Sequence, residues 1–184
     1  SGQSQAVFLN MLPAQDIRRL DEKPEFEMDM RGFEAMPSAQ QLSFNLDNPI
    51  LAKKLVRHAI AHAIDTQWIT DNIWYGLGKA GRSPLHFDQK EFFTTEGVPQ
   101  YPLDMDKANA LLDEAGYPRG DNGMRFDLML DPSPWGTESI NASAYIREQL
   151  RQIGINCTVR TQDFAVFVKT VWTDRAHDLV LYIA

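Results

Sequence analysis

Cysteine is nearly absent from this chain of 184 residues: Cys157 stands alone, so no intrachain disulfide can form. Runs of about 18 apolar residues are missing too, which excludes a transmembrane helix. No cluster of Lys and Arg occurs, and the net charge of −7 with a pI near 5.0 runs against nucleic acid or an anionic membrane as a partner. The start, Ser1-Gly2-Gln3-Ser4-Gln5, lacks the basic residues and apolar run of a signal peptide. At the other end, Asp178 to Ala184 reads as a buried strand, a place where natural chains seldom stop. The two ends together lead to the expectation of a segment cut from a longer protein.

What is present is ordinary globular composition. Apolar residues make up 43% and charged residues 23%, with four Trp, ten Phe and seven Met to fill a core. Phe26, Met28 and Met30 alternate with charged residues and predict a strand, as do Leu42, Phe44 and Leu46. Leu55, Val56, Ala59, Ile60, Ala63 and Ile64 then form the apolar face of a helix, and Asp65 is placed to cap the next one. From Gly76 to Pro102 no period is visible, which predicts a long ordered loop. Asp104 opens a short helix that ends at Gly116.

The second half alternates regularly. Met124 to Leu130 reads as a strand, and Ala142, Tyr145, Ile146, Leu150 and Ile153 stripe a helix closed by Gly154. Cys157 and Val159 continue a strand, Phe164, Phe167, Val168 and Val171 stripe a helix, and the last strand follows. Strand–helix alternation of this kind predicts a mixed α/β fold, its sheet partly parallel and flanked by helices.

Motifs for chemistry are weak. Gly76-Leu77-Gly78-Lys79-Ala80-Gly81 matches GxGxxG, but a helix precedes it where a dinucleotide site needs a strand, so it reads as a glycine-rich helix exit. His58 and His62 have zinc-ligand spacing, yet Ala59 stands where a metalloprotease needs its Glu; they read as the polar edge of an amphipathic helix. No GxSxG is present, and Cys157 sits where a strand wants a small apolar residue. No catalytic residue, metal site or cofactor is expected.

A resemblance rests on four blocks in order. Leu42-Ser43-Phe44-Asn45-Leu46-Asp47-Asn48-Pro49-Ile50-Leu51, running on through Val56-Arg57-His58-Ala59 to Ile64-Asp65, resembles the "FN…NP-L…-VRQA-AID" stretch of the family 5 extracellular solute-binding proteins. Tyr101-Pro102-Leu103-Asp104 through Leu111-Leu112-Asp113-Glu114-Ala115-Gly116-Tyr117 is similar to that family's "YP-D--KA--LL-EAGY". Gln149-Leu150-Arg151-Gln152-Ile153-Gly154-Ile155 is similar to its "QL-KIGI", and His177-Asp178-Leu179 to its "YD(L/V)". The blocks span about residues 40 to 184; Ala14 to Leu20 fits more loosely.

The resemblance implies a fold and a role. The chain, residues 1–184, would be a single domain forming most of the second lobe of a two-lobed, class II periplasmic-binding-protein-like receptor. Such a receptor captures peptides or peptide-like solutes outside the cytoplasmic membrane, in the periplasm, for the permease of an ABC importer; a monomer without enzymatic activity is expected. The family's "GW-AD" anchor would begin just beyond Ala184, so little affinity is expected of this segment alone. Phe164 aligns with a family tryptophan at a strand-to-helix junction, where a flat ring packs on ligand side chains. The loop Asp131 to Gly136 follows a strand C-terminus, the usual place for ligand contacts in an α/β sheet. Dipeptide-type members carry an arginine in that loop. Here Ser133 and Trp135 occupy it, and no carboxylate clamp is available at that point. Longer peptides, or another ligand gripped by stacking, fit better. Two other readings compete: a nickel or metal-chelate receptor using His58 and His62, and a small cytoplasmic α/β enzyme.

Overall fold

In a computed structural model that describes residues 12–29, 38–81, 83, 85 and 87–183, one mixed sheet organises the chain. Helix α1 (Ala14–Asp21) precedes strand β1 (Gln40–Phe44), and a run of short helices follows: α2 (Pro49–Ala52), α3 (Lys54–Ala63), α4 (Thr66–Asn72) and α5 (Met105–Glu114). Then come β2 (Phe126–Pro132), α6 (Thr137–Gln152), β3 (Ile155–Val159), α7 (Phe164–Val168) with a π turn at Lys169–Thr173, and β4 (Leu179–Ile183). The spatial order is β1-β4-β2-β3, with β2 parallel to β3 and β4, and β1 antiparallel to β4. Among the described residues no helix is long and apolar enough to cross a membrane.

Alternation along the strands divides the side chains between two faces. Leu128, Leu130, Ile155, Cys157, Leu179 and Leu181 share one face and meet Ala142, Ile146 and Leu150 of α6, with Val56, Ala59, Ile60 and Leu112 of α3 and α5 in the same cluster. Val180 and Tyr182 point to the other face, where Phe167, Val168 and Val171 pack against them and Trp172 meets the Tyr182 ring. Burial pushes the Cys157 thiol up to about 12, which leaves it unreactive at neutral pH.

Local chemistry fixes the helix ends as the sequence predicts. Asp65 accepts from Trp68 N at 2.9 Å and Asp104 from Lys107 N at 2.8 Å. Gly116 and Gly154 take the left-handed conformation at the ends of α5 and α6. The Asn45-to-Pro49 block builds a joint between the ends of β1 and β4. Asn45 Nδ2 donates to the carbonyls of Arg175 and His177, and Asn48 caps α2 while donating to Asp178. Asp178 in turn accepts from Met129 N at 2.8 Å.

Two expectations need correction. Residues 26–29 are coil with Phe26 exposed, and the alternation there pairs with no strand among the described residues; Met30 lies outside them. His62 is buried, not on a polar edge: its Nδ1 is 2.8 Å from Pro102 O, while His58 Nε2 is 3.1 Å from the Tyr101 hydroxyl. Both imidazoles clip the long loop to α3. The glycine-rich segment is a helix exit, with Tyr75 and Gly76 both at positive φ after α4. Residues 87–102 are irregular, as expected of the loop.

Candidate functional site

Two consecutive crossovers decide where a ligand can approach. From β2 the chain enters α6 on the heavily packed face; from β3, its neighbour, it enters α7 on the opposite face. The two outgoing loops therefore part at the C-terminal ends of adjacent strands. This is the topological switch point of an open α/β sheet, the place where such sheets commonly receive their ligands.

The sequence-predicted residues meet at this point. Trp135 lies in the loop leaving β2 and Phe164 is the first residue of α7, yet their rings stack with centroids 5.1 Å apart and planes inclined by 17°. Both stay about half exposed, at 55% and 50%. A stacked pair that leaves so much ring surface in water offers a broad flat apolar face. Asp163 orients Phe164 by capping α7, accepting from Val166 N at 3.0 Å.

Ser133, two residues before Trp135, is buried. Its N–H donates to Leu181 O at 2.7 Å, and its hydroxyl oxygen accepts from Trp135 N at 3.3 Å. Ser133 thus shapes the turn that carries Trp135. Gly136 follows at φ 82, and a Cβ there would stand 2.8 Å from Glu138 Oε2, so the turn into α6 requires glycine.

A polar network under the crevice was not anticipated from sequence. Asp131 is fully buried at the end of β2, and its two carboxylate oxygens accept from Arg160 Nε at 2.7 Å and Nη2 at 2.8 Å. Gln162 Nε2 adds a third bond at 2.6 Å, and Gln162 Oε1 accepts from the Thr170 hydroxyl at 2.9 Å. The hydrogen bonds to Asp131 raise the Arg160 pKa, so the guanidinium is permanently charged and already engaged. A signal existed: a carboxylate ending an apolar strand and an arginine just after the next one.

Among the described residues no group of three or more His, Cys, Asp or Glu could hold a metal ion. A surface depression of about 540 Å³ lies at the N-terminal end of β4, lined by residues that include Asn45, Asp47, Arg175 and Asp178. Those side chains already bond one another, with Asp47 on Arg175 and Asn48 on Asp178. That depression is largely the structural joint described above; Arg160 also lines it, and Trp135 and Phe164 do not.

A mixed sheet with helices on both faces and a switch point between β2 and β3 is consistent with a fold of the periplasmic-binding-protein kind. The family model described as "Bacterial extracellular solute-binding proteins, family 5 Middle" matches residues 1–183, and the chain belongs to that family. It is 26% identical over 118 residues to heme-binding protein A of Haemophilus influenzae, covering 64% of this chain and 20% of that protein. To the dipeptide-binding protein of Escherichia coli it is 24% identical, covering 92% of this chain and 30% of the relative. The structure of the oligopeptide-binding protein AppA from Bacillus subtilis, in complex with a nonapeptide, superposes with a TM-score of 0.78 at 21% identity. That superposition covers 94% of this chain and 35% of AppA, and it confirms the class II fold. The chain spans a fifth to about a third of these proteins' lengths.

Proposed function

We propose that this chain forms most of the second ligand-binding lobe of a substrate-binding component of an ABC importer, and that it captures peptides or peptide-like solutes. The observation that carries this reading is the half-exposed Trp135–Phe164 stack at the switch-point crevice. Its flat face packs on ligand side chains, Ser133 shapes the turn that carries Trp135, and the partner lobe supplies the rest of the grip. Arg160, close in the chain to Phe164, is held by Asp131 and is not taken as a clamp for a ligand carboxylate. Selection therefore rests on side-chain faces, which favours peptides longer than two residues. The protein acts by capture alone, as a monomer outside the cytoplasmic membrane, and hands its cargo to a membrane permease once the lobes close.

Calorimetry on the full-length protein tests this with pools of dipeptides, tetrapeptides and octapeptides, a nickel–histidine chelate and heme. The expected result is heat with the longer pools and little with dipeptides. Tight binding of the nickel chelate or of heme, with no heat from any peptide pool, would overturn the peptide assignment.

A further inference from the structure

The aromatic pair joins two loops that leave the sheet in opposite directions, so something must fix their separation. Burial contributes little to this: Trp135 and Phe164 are each about half in water. What links the loops is the buried carboxylate of Asp131. It lies four residues before Trp135 on one side, and on the other it accepts three hydrogen bonds from Arg160 and Gln162, the latter two residues before Phe164. Gln162 passes the restraint on to Thr170 in the π turn, so the loop, α7 and the turn are tied to the end of β2 as one unit. Arg160 Nη2 also donates to Ala176 O at 2.7 Å, which holds the exit of the turn to the same point.

A fully buried charge is an improbable choice for holding two loops together. Apolar side chains of similar volume are often as stable or more so, whereas only a fixed fork of hydrogen bonds defines both distance and direction.

We propose that Asp131, acting through Gln162, is a positioning residue that sets the Trp135–Phe164 stack and thereby the shape of ligand face the lobe accepts. The first half of this stands on the geometry alone; the second half rests on the reading of the stack as a ligand wall. Gln162 is the informative place to cut. Its loss leaves Asp131 paired with Arg160 and the fold intact, but frees the loop that carries Phe164.

Two measurements on the full-length protein test the proposal. The first is the near-ultraviolet circular dichroism of Trp135, taken as the difference between each protein and its Trp135→Phe version. Phe164→Ala should remove the part due to stacking, and Gln162→Met and Asp131→Asn should diminish it. A Trp135 signal unchanged in both Gln162→Met and Asp131→Asn would overturn the positioning role. The second is a double-mutant cycle on the affinity for the octapeptide pool. Gln162→Met should weaken binding about threefold alone and add nothing once Phe164→Ala is present. An equal loss in both backgrounds would assign Gln162 a general structural role and refute the proposal. If Phe164→Ala leaves affinity untouched while the optical signal responds to all three changes, positioning of the stack stands and the ligand-wall reading falls.

Discussion

The two faces of this sheet are built on different terms. One is covered by α3, α5 and α6, and its strands contribute Leu128, Leu130, Leu179 and Leu181, each almost wholly buried. Among the described residues the other is covered by α7 and the π turn, with Phe167, Val171 and Val180 as its buried apolar cluster and Trp172 left half exposed against Tyr182. Stability therefore resides on the first face. The crevice opens where the chain passes from one to the other, and there the side chains are aromatic and wet, or buried and charged. Rigidity from the packed face lets the site at its edge keep apolar surface in water, the usual division between scaffold and loop.

The contrast predicts unequal costs of cavity formation. Leu130→Ala should lower the unfolding free energy by about 3 kcal/mol, whereas Val171→Ala on the thin face should cost about 1 kcal/mol, both read from urea denaturation. Equal costs would mean that α7 and its turn belong to the same cooperative core. Asn45→Ala should cost about 2 kcal/mol, because the carbonyls of Arg175 and His177 lose their buried donor in the joint beside β4.

Acid should loosen the thin side next. Burial lowers the pKa of His177, whose Nδ1 is buried with no hydrogen-bond partner among the described residues; Asp131 and Asp178 oppose the shift, Arg175 and Arg160 reinforce it. A histidine that binds its proton less readily when folded makes the unfolded state the better proton acceptor. Stability is then fully present above the unfolded value of about 6.5 and falls as the pH drops below it. His177→Gln should flatten the loss between pH 7 and 5; an unchanged slope would place the acid sensitivity elsewhere. The smallest effect is expected for metal: replacing His58 and His62 by Ala should leave nickel binding unaltered, since both rings are engaged with Tyr101 and Pro102.

Much of the architecture was legible because periodicity reports local geometry. The alternation from Phe126 to Leu130 and the stripe from Ala142 to Ile153 each specify an element whose partners are close in sequence. The alternation at Phe26 and Met28 was just as regular but misled, since a strand exists only where an edge accepts it, and Phe26 remains in water. His62 misled for a related reason: helical spacing shows a face but not that a loop forty residues away will cover it. Trp135 and Phe164 were legible as positions near strand ends. Their stacking, and the Asp131–Arg160–Gln162 network beneath, were not, because both depend on the register between β2 and β3, which no single segment encodes.

The most direct test of the central claim is the octapeptide-pool affinity of the full-length protein carrying Trp135→Ala, measured by calorimetry beside its urea midpoint. The aromatic-wall account predicts about a fivefold loss of affinity at a nearly unchanged midpoint. Undiminished affinity, or a loss that only follows a collapse in stability, would contradict it.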